Sequence, residues 1–239
     1  MAKRVSHSLL DPLINRSIPY VYGALHIPRW FPPEGIVITG HLIAIGGAFA
    51  FAQIVQAWWG GLLVALCVAG NHVCDLIDGT HARRTGQCRN GGELLDHFLD
   101  PLSFSYWIAG YGVAMGRLDL ALAGVIILYA TAVLTSIKAK MIDEFTLARF
   151  GPTEFKMLLA LFGLAMMAMA LVGVEPADRR MVALGFFALL LVIGVVQLLV
   201  GLGVAVYRVN ICGAVPDSTE WDITGMQSDA SDRQPPAGQ

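Results

Sequence analysis

The chain has 239 residues, 56% of them apolar and only 14% charged, with a mean hydropathy of +0.62. Soluble domains carry about 25% charge, so most of this chain does not face water. A net charge of −2 offers no electrostatic footprint for nucleic acid, and four cysteines without a Cys-x-x-Cys pair give neither a disulfide framework nor a zinc site.

The first residues lack the basic, apolar and small-residue succession of a cleavable signal. Ser8–Ala24 mixes Leu9, Leu10, Leu13, Ile14, Ile18 and Val21 with Asp11, Asn15 and Arg16. That pattern predicts an amphipathic helix lying in the membrane interface, broken at Pro19; a disordered arm is the alternative. Trp30-Phe31-Pro32-Pro33 marks the water–lipid boundary. Residues 1–35 therefore read as an N-terminal interfacial arm.

A hydrocarbon core about 30 Å thick needs roughly 20 apolar residues in a helix. Six runs qualify: approximately Ile36–Gln56, Trp58–Asp78, Gly92–Ala114, Leu118–Met141, Thr153–Val174 and Met181–Tyr207. They are too long and too uniformly apolar for barrel strands. The expected fold is an all-α integral membrane protein, a six-transmembrane-helix bundle over 36–208, with no internal repeat. Residues 209–239, rich in Pro, Gly, Ser and Asp from Gly213 onward, read as a disordered polar tail. With both termini cytoplasmic, thirteen Lys and Arg fall on the cytoplasmic side and three, Arg117, Arg179 and Arg180, on the other. The positive-inside rule thus sets the orientation.

The polar segment between the second and third spans, Gly79–Gly91, lies on the cytoplasmic side. Asp75 and Asp78 are three apart before it, and Asp96 and Asp100 four apart after it. On helices these spacings put each pair on one face. Two antiparallel spans joined by this segment bring four carboxylates to the cytoplasmic end of the bundle. Like charges at such range raise one another's pKa values, and a charge in the bilayer costs a few kcal/mol. A bound cation resolves both problems. Oxygen-only ligands suit Mg²⁺, Mn²⁺ or Ca²⁺ rather than zinc or copper. Two ions would clamp a diphosphate and stabilise a transferring phosphoryl group. Gly79, Ala82 and Gly92 let backbones or a flat ligand approach closely, and Arg83, Arg84 and Arg89 bring positive charge near phosphates. A cation transporter is the rival reading of intramembrane acids, though it leaves Gly79, Ala82, Arg83 and Gly92 without a task.

The stretch Asp75-x2-Asp78-Gly79-x2-Ala82-Arg83-x8-Gly92-x3-Asp96-x3-Asp100 resembles the signature of the CDP-alcohol phosphotransferases at all eight defining positions. The resemblance implies metal ligation by Asp75, Asp78, Asp96 and Asp100, with Asp100 also the base for the acceptor hydroxyl. It implies a cytidine pocket lined by Gly79, Ala82 and Gly92, with Arg83 close to the phosphates. It further implies Mg²⁺ or Mn²⁺ as cofactor, two ions in all, and a homodimer working among membrane lipids. At the first span, family members often read Pro-Asn-x-Ile-Thr; Pro33-Glu34-Gly35-Ile36 lacks the asparagine, so no nucleotide role is carried there.

The family has two branches. One joins a CDP-linked diacylglycerol to a small polar alcohol; the other joins CDP-choline or CDP-ethanolamine to a lipid alcohol. Ala82-Arg83-Arg84-Thr85 and Gly92-Glu93-Leu94-Leu95-Asp96-His97 resemble the second branch, as does Gly151-Pro152-Thr153-Glu154. His97 then is either a second base near the acceptor hydroxyl or a histidine held by a neighbouring carboxylate. Gly151–Glu154 is either a substrate contact or a plain helix start. Lys138, Lys140, Arg149 and Lys156 would instead suit a phosphorylated small acceptor, the first branch. The favoured donor is a CDP-linked aminoalcohol and the favoured acceptor a lipid alcohol.

Overall fold

The computed structural model of the protein describes residues 3–6, 10–147 and 151–213. Among them are seven helices: α1 (Asp11–Leu25), α2 (Pro33–Gln53), α3 (Trp58–Thr85), α4 (Asn90–Met115), α5 (Leu118–Ile142), α6 (Pro152–Leu171) and α7 (Pro176–Cys212). Two four-residue strands, β1 (Lys3–Ser6) and β2 (Glu144–Leu147), pair in parallel with Lys3 opposite Glu144. Residues 214–239, most of the expected tail, lie outside the described residues, and α7 runs past Arg208 to Cys212.

Local chemistry sets the helix ends. Proline stands in the first turn of α1, α2, α6 and α7, where its missing N–H costs no helical bond. Gly86 and Gly116 close α3 and α4 in the left-handed region, at φ 73° and 70°. Helix α1 is continuous through Pro19 rather than broken there.

α2, α3, α5, α6 and α7 are each long and apolar enough to cross a membrane. α4 is as long, but its first half carries Glu93, Asp96, His97 and Asp100. The protein is thus an all-α, multi-pass membrane fold. α5 and α7 bury little inside the protein, and α7 presents Leu189, Val192, Val196 and Leu199 outward. Such a surface is compatible with lipid, not with water.

The inner layer is α2, α3, α4 and α6. α2 packs against both α3 and α4, and α6 against α3, whereas α3 and α4 barely touch. The expectation of two acidic spans lying directly side by side is therefore corrected: α2 is wedged against both. Small residues allow this. A Cβ on Gly40 would stand 2.8 Å from Cys74 Cβ on α3, and one on Gly47 would meet Trp107 Nε1 of α4 at 2.7 Å and Cys67 Cβ of α3 at 3.1 Å. Trp107 Nε1 donates to the Ala44 carbonyl (2.9 Å) and Tyr111 Oη to the Ala183 carbonyl (2.9 Å), so both buried aromatics satisfy their polar ends. Gly61 and Gly163 give α3 and α6 a similarly close approach.

Gly47→Leu should drive α2 from both neighbours and lower stability in detergent by about 1–3 kcal/mol. Gly46→Leu, one residue away and facing open space, should leave the melting temperature unchanged. Thermal unfolding of the two purified variants checks this.

Candidate active site

α3 continues through the segment expected to be a polar interruption, so Gly79, Ala82 and Arg83 sit on helix, and only residues 86–89 connect it to α4. The side chains on this stretch are compatible with helix: Thr80 and Thr85 bond back to the Leu76 and His81 carbonyls at 3.2 and 2.8 Å. His81, fully buried, fixes the approach of the N-terminal arm. Its Nε2 donates to the Phe31 carbonyl (2.9 Å), leaving Nδ1 to accept from the Tyr22 hydroxyl of α1 (2.8 Å). Arg84 lies over the Tyr22 ring, 4.8 Å from its centroid.

A small cleft is lined by α2, α3 and α4. Asp75 and Asp78 line it from α3, and Asp96 and Asp100 from α4. One oxygen each of Asp75, Asp96 and Asp100 lies within 4.8 Å of the others. Asp78 is buried in the same cleft but outside that group, with its carboxylate accepting from the Gly79 N–H. The rest of the wall is Val37, Gly40 and His41 of α2, Asn71 and Cys74 of α3, and Leu99 and Ser103 of α4. His41 Nδ1 and Ser103 Oγ are 2.9 Å apart, and Asn71 Nδ2 donates to the Gly40 carbonyl at 3.1 Å.

The cluster already contains one positive charge. Lys156 of α6, 1% exposed, reaches across with Nζ 3.1 Å from Asp75 Oδ2 and 3.7 Å from Asp100 Oδ1. His72 backs Asp75 from the other side, with Nδ1 3.8 Å from the same oxygen. Convergent carboxylate oxygens that gather an ammonium form a hard, all-oxygen donor set with a demand for cation, which fits a divalent ion such as Mg²⁺ or Mn²⁺.

The remaining expected residues divide. Gly79 faces the Arg83 guanidinium, 3.2 Å from where a Cβ would stand, while Gly92 faces the Glu34 carboxylate at 3.5 Å. Glu34 in turn pairs with Arg89 at 3.2 Å. Ala82 is half-buried one turn after Asp78. Arg83 is exposed and reaches Thr80 Oγ1 at 3.4 Å. None of these residues lines the cleft. His97 is exposed, does not line the cleft, and lies 3.8 Å from Glu93 Oε1 one turn back. Glu154 accepts from the Gly151 N–H at 2.9 Å and from the Leu10 N–H at 3.3 Å; the Gly-Pro-Thr-Glu run caps α6. Arg149 lies outside the described residues, and Lys156 is separated from its expected companions by its burial. Sequence reasoning missed His41 and Asn71 as cleft residues, and it assigned Lys156 to an acceptor rather than to the carboxylates it meets. A lone lysine in the first turns of an apolar span was the available signal for Lys156.

A family model described as CDP-alcohol phosphatidyltransferase matches residues 36–207. Human cholinephosphotransferase 1 is 30% identical over 113 residues, 45% of this chain and 27% of that protein. Phosphatidylinositol phosphate synthase of Mycolicibacterium smegmatis is 33% identical over 114 residues, 45% of this chain and 49% of that one. The aligned region thus spans no more than about half the length of either. Among solved structures, phosphatidylinositol phosphate synthase of Mycobacterium tuberculosis with CDP-DAG bound is similar in fold, with a TM-score of 0.50 at 20% identity. That match covers 77% of this chain and 91% of the other.

Because Glu154 serves as a cap, Glu154→Ala should cost about 1 kcal/mol of stability, while Glu154→Gln, which keeps an acceptor oxygen, should cost less. Neither should raise the KM for either substrate. Thermal unfolding and steady-state kinetics check the two halves of the expectation.

Proposed function

The chain belongs to the CDP-alcohol phosphatidyltransferase family, and from that premise we propose that it transfers a phosphoalcohol group from a CDP-linked donor to an alcohol at the acidic cleft. The observation that carries this reading is the convergence of Asp75, Asp96 and Asp100 within 4.8 Å, with Asp78 beside them. In the favoured form the donor is CDP-ethanolamine or CDP-choline and the acceptor a lipid hydroxyl such as that of diacylglycerol. Support comes from Ala82-Arg83-Arg84-Thr85 and Gly92-Glu93-Leu94-Leu95-Asp96-His97, and from the similarity to cholinephosphotransferase. Similarity to phosphatidylinositol phosphate synthases supports a second form, in which CDP-diacylglycerol gives its phosphatidyl group to a small polar alcohol.

The chemistry at phosphorus is common to both. The acceptor hydroxyl oxygen attacks the phosphorus that bears the donated alcohol, the bond from that phosphorus to the CMP oxygen breaks, and CMP leaves with the bonding pair. Asp75, Asp78, Asp96 and Asp100 would hold one or two Mg²⁺ or Mn²⁺ ions. Such ions, when bound, neutralise the diphosphate and the charge on the departing phosphate. Asp100 takes the hydroxyl proton, and His97, next to Asp96 in the chain, is a second candidate for that role. Arg83 stands near the phosphates, and Gly79, Ala82 and Gly92 leave room for the cytosine ring. The active chain is a six-span bundle with α4 as its sixth span and α1 in the interface, its cleft opening to the cytoplasm, and it works as a homodimer.

Purified protein in detergent with Mg²⁺ or Mn²⁺ should release CMP from CDP-choline or CDP-ethanolamine when diacylglycerol is supplied. CMP from CDP-diacylglycerol alone, with a polar alcohol, would move the protein to the second branch. No CMP from any donor, together with cation flux in liposomes, would replace transfer by transport.

Asp96→Asn and Asp100→Asn should each lower turnover at least about 100-fold while the protein still elutes as a folded species. Excess EDTA should abolish CMP release, and added Mg²⁺ or Mn²⁺ should restore it. Wild-type turnover in Asp100→Asn would remove that residue from the mechanism.

A further inference from the structure

Lys156 has no part in the transfer chemistry above, yet it sits directly against Asp75 and Asp100. It lies in the first turns of α6, a membrane helix, and is 1% exposed. Burying an ammonium there is unfavourable unless it is paired. Its partners are one carboxylate from each of two helices: Asp75 of α3 at 3.1 Å and Asp100 of α4 at 3.7 Å. The Phe104 ring closes the apolar side, with its centroid 5.4 Å from Nζ.

The surrounding fold aims the side chain. Gly61 and Gly163 bring the backbones of α3 and α6 into direct contact, which holds α6 close enough for Lys156 to reach past α3 to α4. α3 and α4 make few direct backbone contacts and are held mainly through α2, so Lys156 is a cationic contact that a carboxylate of each helix shares. A tethered ammonium carries one charge and three donors. It offsets part of the repulsion between those carboxylates.

We propose that Lys156 is a positioning residue, a built-in counter-cation that holds Asp75 and Asp100 together before a divalent ion arrives and competes with that ion for them. The proposal rests on the reading of the cluster as a divalent-metal site. On this view the lysine keeps the metal-free protein from opening at the cleft and sets the metal affinity below what four carboxylates alone would give.

The test uses full-length protein purified in detergent, with Mn²⁺ as the probe. Melting temperature is measured in EDTA and in saturating Mn²⁺, and Mn²⁺ affinity by the electron paramagnetic resonance signal of the free ion. Lys156→Met keeps the length and apolar stem of the side chain without its charge. It should melt well below wild type in EDTA and near wild type in Mn²⁺, and should bind Mn²⁺ at least about fivefold more tightly. Lys156→Arg, which keeps the charge, should show a Mn²⁺-dependent rise in melting temperature like that of wild type. Equal rises in wild type and Lys156→Met, or weaker Mn²⁺ binding by Lys156→Met, would overturn the proposal and leave the metal reading intact. If both variants melt lower by the same amount with and without Mn²⁺, the lysine is a packing residue and the proposal falls. No Mn²⁺-dependent rise in wild type would overturn the metal reading itself and this inference with it.

Discussion

Carboxylates gathered at low dielectric need a counter-charge, and the architecture of this protein is arranged around that need. Asp75, Asp78, Asp96 and Asp100 stand on helices whose remaining residues are mostly apolar. Each charge there loses hydration and repels the others. Breaking a buried ion pair by removing one partner typically costs about 3–5 kcal/mol. The partnership of Lys156 with Asp75 and Asp100 is therefore a structural tie across three helices as well as an electrostatic one. That tie requires α6 to lie hard against α3, which the facing glycines Gly61 and Gly163 permit.

The cleft itself follows from what α2 does. Helices joined by four residues, 86–89, would ordinarily pack along their length. Here α2 lies against both, its Gly40, Ala44 and Gly47 admitting Cys74, Cys67 and the Trp107 indole. α3 and α4 are held a fixed distance apart, and the space between them is left to polar side chains. A site made in this way is shaped by rigid helices rather than loops, and the carboxylates stay within a few ångströms of one another because backbone packing places them there. The outward faces of α5 and α7 take little part in this and meet the lipid.

Much of this was legible in the chain. Hydropathy marks α2, α4, α5 and α6 to within about three residues but stops seven short of the end of α3 and five short of either end of α7, and the spacing of the aspartates points to the faces that bring Asp75, Asp96 and Asp100 together. Three features were not legible, each for a physical reason. The polar run after Asp78 reads as a loop because Thr80, His81, Arg83 and Arg84 are hydrophilic, yet Thr80 and Thr85 hydroxyls bond back along the helix and His81 is buried against Phe31 and Tyr22. The wedge of α2 depends on three-dimensional contacts between small residues that carry no periodic signal of their own. Lys156, grouped by sequence with other cations near the cytoplasmic ends, owes its position to the close α3–α6 packing, a tertiary fact.

The two branches of the family present this site with the same event at phosphorus, so the acidic cluster cannot discriminate between them. Discrimination belongs to groups outside it. An aminoalcohol donor brings a cationic head, whereas a phosphorylated acceptor brings anionic charge. Near the 86–89 connection, at the ends of α2, α3 and α4, both signs occur: Glu34 paired with Arg89, Glu93 close to His97, and the exposed Arg83. Glu34 is engaged by Arg89, and the buried Lys156 is paired with Asp75 and Asp100. Because a divalent ion would compete with Lys156 for those carboxylates, its pairing here speaks for neither branch, and discrimination rests on the groups that meet the head group or the acceptor.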